Sequence, residues 1–451
     1  MKKHHSNRSM FSGKLGFVLS AAGASVGLGN IWRFPYLAAK YGGGIFLLIY
    51  ILLALTFGYT MIVAETSLGR MTRKSPVGAY ASFTKSHTLK AGGWINAIIP
   101  ILIVPYYSVI GGWVIKYLFE YICGNGTKLA EDGYFSMFIS DGVSAEICFI
   151  VFALITLTII FAGVRNGIER VSKFMMPILV VLSVIIAIYS VTRPGALKGI
   201  QYFLVPNLEN FSWMTVVSAM GQMFYSLSIA MGILVTFGSY MKKETSIEEI
   251  FDTAIAIMAG LMIIPAVFAF SSGDPNTLQA GPSLMFITIP KVFASMGLGT
   301  VVGILFFVLV LFAAVTSSIA LTESAVSTFE DELHWNRKKS TVVIGIIMLV
   351  LGTLSSLGYG PLDAVKILGM QFLDFFDFLT NSVMMPIAAI ATCLLVSRVI
   401  GVDRIEEEMT QEGGTFRRKK IFVMMIKYLC PVFAAIILIS SVMNAFGLIS
   451  M

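Results

Sequence analysis

Charged residues are scarce in this sequence. Only 13% of its 451 residues are Asp, Glu, Lys or Arg, whereas 57% are hydrophobic. Soluble globular domains carry roughly 25% charged residues, and the mean hydropathy of this chain is +0.84. The composition therefore excludes an ordinary soluble protein and places the chain in a membrane.

Cysteine and histidine are scarce as well. The sequence has four of each, and the cysteines show no spacing typical of a metal site. Cys123 and Cys148 both fall near the predicted outer surface, which leaves a disulfide open as an alternative to two free thiols. No nucleophile–base pair and no phosphate-binding loop occurs, so nothing in the sequence points to an enzyme.

Apolar stretches recur along the whole chain. A helix needs about 20 apolar residues to cross a bilayer, and eleven stretches come near or exceed this length. They predict spanning helices 1–11 at about 13–38, 43–69, 93–122, 147–163, 170–191, 212–239, 248–271, 297–325, 341–358, 368–397 and 420–448. Because the loops are mostly short, we predict one transmembrane domain, 1–451, with helices 1–5 at about 13–191, helices 6–10 at about 212–397 and helix 11 at about 420–448.

Positive charge is unevenly divided between the loops. With the N-terminus in the cytoplasm, the inward loops collect most Lys and Arg, and the outward loops hold few, among them Lys128, Arg193, Lys198, Lys291 and Lys366. Lys and Arg mark cytoplasmic loops, so we predict a multi-pass protein of the cell membrane with its N-terminus inside and its C-terminus outside. The same asymmetry explains the net charge of +7 without a nucleic-acid partner.

Two of the predicted helices are interrupted by small and polar residues. Helix 1 contains Gly23-Ala24-Ser25-Val26-Gly27-Leu28-Gly29-Asn30 followed by Arg33, and helix 6 contains Gly221 to Gly232 with polar residues at its centre. Either run of glycines alone could serve helix packing. An unwound turn at membrane depth survives only where it is buried in protein or lines a cavity, and such broken helices are typical of sites that hold ions or polar solutes.

The stretch from Gly23 to Pro35, followed by Tyr41-Gly42-Gly43-Gly44, strongly resembles the neurotransmitter:sodium symporter family. The resemblance runs from Arg8 to about Cys393. It implies an all-α LeuT fold, a 5+5 inverted repeat of helices 1–10 with broken helices 1 and 6, plus an eleventh helix as in shorter bacterial amino-acid transporters. It also implies sodium-coupled amino-acid symport by alternating access. A non-transporting amino-acid sensor of the same fold stays open as the alternative.

The resemblance implies two sodium sites. Helix 8 carries consecutive hydroxyls at Thr316 and Ser317, although such hydroxyls can also bond back to their own helix. One implied site (the second site) is formed by Gly23, Val26, Ala313, Thr316 and Ser317. The other (the first site) is formed by Ser25, Asn30, Ser226, Asp252 and the carboxylate of the substrate.

The same resemblance implies a substrate site between the two breaks. Its residues are Ser25, Gly27, Gly29, Ile103, Tyr107, Tyr225, Ser226, Ser228, Met231, Ser317 and Leu321, with Ile110 as a further apolar candidate. Backbone N–H groups at half-helix ends suit a carboxylate. Monoamine-transporting members of the family carry an aspartate at the position of Gly27, so we expect a substrate that brings its own carboxylate. A flexible thioether at Met231, where the leucine transporter has phenylalanine, favours large hydrophobic or aromatic side chains.

Charged residues within the membrane are costly and usually paired. By resemblance, Arg33 and Asp377 form an outer gate through water, and Arg8 with Asp331 forms an inner latch near Tyr240. Phe11 replaces the usual tryptophan after Arg8, which puts the packing of that latch in question. We further expect Glu65 to be protonated or tied to the unwound backbone.

Predicted helix 5 contains a glycine and a proline that can weaken it. Gly167 and Pro177 have nine residues between them. By resemblance, related transporters use this pair to unwind helix 5 and release sodium; a static proline kink is the alternative.

Asp252 of predicted helix 7 lies where chloride-dependent members of the family carry asparagine, and Ala256 lacks a hydroxyl that would help to hold chloride. We therefore expect chloride-independent transport, by a monomer or loose dimer among membrane lipids.

Overall fold

The computed structural model describes residues 10–241, 282–411 and 416–448. Predicted helix 7, and with it Asp252 and Ala256, lies outside these ranges, as does Arg8. Within them the chain is almost entirely helical, and its strand-like pairing is limited to two isolated bridges, Gly43 with Pro206 and Ile367 with Met370.

Eight predicted spans are single apolar helices in the described ranges. They are helix 2 (Gly44–Thr72), helix 3 (His87–Ile122), helix 4 (Gly142–Phe161), helix 5 (Val164–Val191), helix 8 (Gly299–Leu333), helix 9 (Arg337–Leu357), helix 10 (Phe372–Ile400) and helix 11 (Lys419–Ala445). Helices 2, 3 and 8 run several residues past the predicted cytoplasmic ends. The apolar pattern stops at the membrane surface, but a helix can continue in water with polar side chains.

Helices 1 and 6 are both broken, as the sequence predicts. Helix 1 consists of Lys14–Ser25 and Gly29–Lys40, and the two halves are bent by 54°. Helix 6 consists of Trp213–Ser226 and Ile233–Tyr240. In the second break Ser228, Ala230 and Gly232 have φ values of +52°, +59° and +72°, a left-handed conformation that ends an α-helix.

Several short helices have no counterpart among the predicted spans, because they are shorter than an apolar span. On the loops they are Pro76–Phe83, Gly126–Leu129, Tyr134–Ser140, Ala196–Leu204, Leu284–Ser295 and Val402–Thr410. The last one buries Val402 and Ile405, and its Glu408 forms a buried ion pair with Arg70 of helix 2. That pair fastens the helix to the inner end of the bundle.

Cys123 and Cys148 are both free thiols in this structure, Cys123 exposed and Cys148 half-buried. The alternative of a disulfide, which the sequence leaves open, is therefore not realised here.

Candidate functional site

Hydrogen bonds connect the breaks of helices 1 and 6. The amide of Gln222 donates to the Gly29 carbonyl at 3.1 Å and to the Ser226 hydroxyl at 2.8 Å. The Ser228 hydroxyl donates to the Ala24 carbonyl at 3.1 Å. Carbonyl groups in the unwound part of helix 1 thus accept hydrogen bonds from side chains of helix 6. Lipid hydrocarbon could not provide such donors.

Glu65 of helix 2 supports the break in helix 6. Its carboxylate accepts a 2.8 Å hydrogen bond from the Ala230 backbone N–H, and its side chain is fully buried. The expected tie between this carboxyl group and the unwound backbone is therefore present.

A small cavity lies between the breaks. It offers about 30 Å³ of space that the centre of a water molecule can reach. Nine of the predicted substrate contacts line it, namely Ser25, Gly27, Ile103, Tyr107, Tyr225, Ser228, Met231, Ser317 and Leu321. Ala24, Asn30 and Ile233 also line it, although they are absent from the predicted substrate contacts.

Two predicted substrate contacts, Gly29 and Ser226, do not line the cavity. A Cβ atom on Gly29 would lie 2.1 Å from the Tyr225 ring, so that ring covers Gly29. The Ser226 hydroxyl is turned toward Gln222. Ile110 lines the outer cavity described below, not this one.

The unwound part of helix 1 forms a polar corner of the cavity. The Leu28 N–H donates to the Tyr107 hydroxyl at 3.2 Å. A Cβ atom on Gly27 would lie 2.9 Å from the Ser317 Oγ and 3.1 Å from the Tyr107 hydroxyl. A side chain at Gly27 would therefore crowd both hydroxyls, and the Gly27 N–H itself donates to the Ser25 carbonyl at 3.1 Å.

Oxygen atoms converge where helix 8 crosses the break in helix 1. The Ser317 hydroxyl lies 3.2 Å from the carbonyl oxygens of Gly23, Ala24 and Val26. The Thr316 hydroxyl bonds back to Phe312 at 2.9 Å and Ala313 at 3.2 Å. Carbonyl and hydroxyl oxygens of this kind suit a bare alkali cation, and all five predicted residues of the second sodium site gather here.

Of the residues predicted for the first sodium site, the structure describes Ser25, Asn30 and Ser226, whereas Asp252 lies outside the described ranges. The Asn30 amide donates to the Ser25 carbonyl at 3.1 Å, and Ser226 accepts from Gln222. Gln222 is not among the predicted site residues, and its side-chain oxygen has no hydrogen-bond partner within the described ranges. A glutamine at the centre of an apolar helix was the signal that could have identified it.

A larger cavity of about 490 Å³ lies on the outer side. Arg33, Tyr106, Ile110 and Asp377 are among its lining residues. Tyr225 lines both this cavity and the central one, so its ring separates them. The Arg33 guanidinium lies 5.6 Å from the centre of that ring.

Asp377 is held in place by neighbours that the sequence did not indicate. It accepts a hydrogen bond from the Tyr106 hydroxyl at 3.2 Å and another from Asn381. Arg33 and Asp377 make no direct ion pair in the part of the chain that the structure describes. The outer gate between these two side chains therefore stays a prediction.

Several contacts join the helices at the predicted inner side. Asp331 accepts from the Ser75 N–H at 2.6 Å. The Tyr240 hydroxyl donates to Glu323 at 2.7 Å, and Glu323 in turn pairs with Arg337 at 2.6 Å. Since Arg8 lies outside the described residues, the latch between Arg8 and Asp331 stays a prediction.

Phe11 is well packed despite replacing a larger tryptophan. It is only 2% exposed and meets the rings of Phe17, Phe237 and Tyr240 edge-on, with centroids 5.9, 5.6 and 6.1 Å away. Such pairs contribute beyond the area they bury, so a compact aromatic cluster occupies the place of the tryptophan.

The start of helix 5 is irregular. Val164–Glu169 forms a π-helical turn that contains Gly167, and Pro177 lies inside the following α-helix. Turns of this kind weaken the regular ladder of helix hydrogen bonds and often occur at functional sites.

Comparisons with known proteins agree with this geometry. A family model described as "Sodium:neurotransmitter symporter family" matches residues 8–127 and 136–448. The uncharacterized sodium-dependent transporter YhdH of Bacillus subtilis (strain 168) is 33% identical, with 98% of each chain covered. The human sodium- and chloride-dependent GABA transporter 2 is 27% identical over 90% of this chain and 75% of its own.

One solved structure is similar over nearly the whole chain. The crystal structure of MhsT in complex with L-phenylalanine superposes with a TM-score of 0.86 at 34% sequence identity. The match covers 96% of this chain and 100% of MhsT. It confirms the predicted LeuT fold.

Proposed function

The chain belongs to the sodium:neurotransmitter symporter family, and we propose that it is a sodium-coupled symporter of hydrophobic and aromatic L-amino acids that works by alternating access. The observation that carries this proposal is the meeting of two broken helices around a small cavity, beside a cluster of carbonyl and hydroxyl oxygen atoms. Sodium and the amino acid are both substrates of the transport cycle, and each finds suitable groups there.

Sodium binds at two places in this proposal. At the second site the carbonyls of Gly23, Val26 and Ala313 and the hydroxyls of Thr316 and Ser317 replace its hydration shell. The Ser317 hydroxyl, which here donates its proton toward the carbonyls of Gly23, Ala24 and Val26, turns its oxygen to the sodium ion instead. At the first site the ligands are Ser25, Asn30, Ser226, Asp252 and the substrate carboxylate.

The amino acid lies between the breaks. Its carboxylate meets the backbone at Gly27 and Leu28 together with the Tyr107 hydroxyl, and its side chain contacts Ile103, Met231, Ile233 and Leu321. The phenylalanine bound to the similar MhsT structure supports a large apolar side chain. The cavity is narrow in this structure, so Met231 must change rotamer to admit an aromatic ring.

Two gates alternate around this site. Tyr225, Arg33 and Asp377 close the outer path, and Arg8, Asp331 and Tyr240 close the inner one. Unwinding of helix 5 between Gly167 and Pro177 releases sodium to the cytoplasm. The N-terminus lies inside and the C-terminus outside, and the protein acts as a monomer or loose dimer.

Chloride takes no part in the cycle we propose. The buried carboxylate of Asp252 supplies the negative charge that chloride supplies elsewhere in the family, and it takes up a proton after sodium leaves. The support for this is the identity of Asp252 and Ala256 in the sequence.

Uptake of labelled amino acids into reconstituted vesicles tests the substrate class. With sodium outside, we expect phenylalanine, tryptophan and leucine to enter and to compete with one another, whereas aspartate, glutamate and lysine fail. Uptake that ignores sodium, or that prefers charged amino acids, contradicts the proposal. A sensor of the same fold would bind the same amino acids without transporting them.

A further inference from the structure

The first described residues of the chain fasten two helices together at the inner side. The Phe11 N–H donates to the Tyr240 carbonyl at 3.2 Å, at the inner end of helix 6. The next residue, Ser12, donates its N–H to Glu169 of helix 5 at 2.8 Å, and its hydroxyl contacts the other carboxylate oxygen. Neighbouring residues thus tie the end of helix 6 to the beginning of helix 5.

Glu169 is the centre of this arrangement. It is 2% exposed and ends the π-helical turn Val164–Glu169. The Lys173 ammonium, one turn along helix 5, donates to Glu169 at 2.6 Å and to the Ser12 hydroxyl at 3.1 Å. A buried carboxylate is costly unless it is paired and hydrogen-bonded, and Ser12 and Lys173 meet that need. We call these three residues the Ser12–Glu169–Lys173 cluster.

The carboxylate of Glu169 also packs against Gly16 in the inner half of helix 1. A Cβ atom at Gly16 would lie 2.2 Å from Glu169 Oε1, so only glycine lets the backbone come this close. Farther along the same contact, a Cβ atom at Gly23 would lie 3.4 Å from the Met176 sulfur of helix 5 and 3.1 Å from Thr316. Helix 5 therefore covers helix 1 from Gly16 up to the oxygen cluster.

We propose that Glu169 is a positioning residue that holds the π-helical turn of helix 5 against the inner half of helix 1, and that the Ser12–Glu169–Lys173 cluster must break before sodium leaves inward. The proposal rests on the proposed function, since it assigns a lock to the release path. Gly167 lies two residues from Glu169 in the same turn, so unwinding there carries the carboxylate away from Ser12. The N-terminal segment and helix 5 then open together.

Hydrogen–deuterium exchange of the full-length protein tests this lock without knowledge of the substrate. Peptides over residues 164–173 are followed in sodium chloride and in potassium chloride, for the wild type and Glu169→Gln. Charge-assisted hydrogen bonds are roughly twice as strong as neutral ones. We therefore expect Glu169→Gln to speed exchange in this turn at least tenfold in sodium, and to raise the sodium concentration for half-maximal protection by the same factor.

Further variants separate the lock from a merely structural ion pair. Ser12→Ala should speed exchange less, because its backbone N–H remains, and Ser12→Thr should restore protection. Gly16→Ala should act like Glu169→Gln and add nothing to it in the double variant. Glu407→Gln and Ser86→Ala, on exposed residues, serve as controls that leave the turn unchanged.

The proposal is overturned if Glu169→Gln leaves exchange at residues 164–173 as in the wild type. It is also overturned if exchange rises equally in distant peptides such as Tyr134–Ser140, whatever the cation, since that is general destabilisation. If sodium protects nothing in the wild type, the proposed sodium coupling fails. The lock is then still judged by the variants within one buffer.

Discussion

Ser317 belongs to both parts of the site. Its hydroxyl lies 3.2 Å from three carbonyls of the helix 1 break, and it also lines the central cavity. Thr316, by contrast, bonds to its own helix. A cation at this place would attract both hydroxyl oxygens, because each can turn a lone pair toward it.

Removing both hydroxyls should disable sodium coupling. We expect Thr316→Ala with Ser317→Ala to lower the apparent sodium affinity at least a hundredfold, since interactions with charged groups are worth about 1.5–3 kcal/mol each. Sodium-driven uptake is the measurement, with surface expression checked alongside. Thr322→Ala with Thr328→Ala is the matched control, because these two hydroxyls also bond to helix 8 itself. Undiminished accumulation in the first double variant would show the assignment to be wrong.

Met231 should set the size limit of the substrate. Met231→Phe replaces a flexible chain by a rigid ring in a narrow cavity, and overpacking costs about 1–3 kcal/mol. We expect the inhibition constant of tryptophan to rise roughly tenfold more than that of leucine, as measured by competition against labelled phenylalanine. Met214→Phe, on helix 6 but away from the cavity, is the control. Equal effects on both amino acids would contradict this role.

Most of the cavity residues could be predicted from the sequence, but not all of them. Tyr107, Tyr225 and Ser317 follow from family motifs in helices 3, 6 and 8. Ile233 and Ala24 do not, because the direction in which a chain leaves an unwound turn depends on contacts with other helices. Gln222 was missed for a similar reason, since its partner is a carbonyl on a different helix.

At the scale of helices, sequence and structure agree where the signal is long and apolar. Helix 9, predicted at about 341–358, is Arg337–Leu357, and helix 4 is Gly142–Phe161. The helix Val402–Thr410 was not predicted, because its stability comes from burying Ile405 and pairing Glu408 with Arg70. Contacts between residues far apart in the chain produce no long apolar stretch in the sequence from which such a helix could be predicted.

Helix 7 carries the prediction on chloride. Asp252→Asn with Ala256→Ser removes the proposed built-in negative charge and adds a hydroxyl that can help to hold an anion. We expect the double variant to require chloride, whereas wild-type uptake continues when gluconate replaces chloride. Uptake measured in the two salts decides this. A chloride requirement in the wild type would contradict the proposed role of Asp252, and Ala256→Ser alone serves as the control.

For the whole molecule, the separate contacts on the two sides of the central cavity matter most. Tyr225 separates the central cavity from the outer one, while Glu323, Tyr240 and Arg337 bind one another on the inner side. A sodium gradient can drive transport only if the two sides open in turn, because a path open to both sides would dissipate the gradient.

The central claim, coupling of amino-acid movement to sodium, is tested most directly by accumulation in sealed proteoliposomes. Labelled phenylalanine is supplied outside with an inward sodium gradient, and its internal concentration is followed over time. We predict a transient rise above the external concentration, its collapse on addition of a sodium ionophore, and no rise when potassium replaces sodium. Retention limited to one molecule per protein, or equal entry in both salts, would contradict the account.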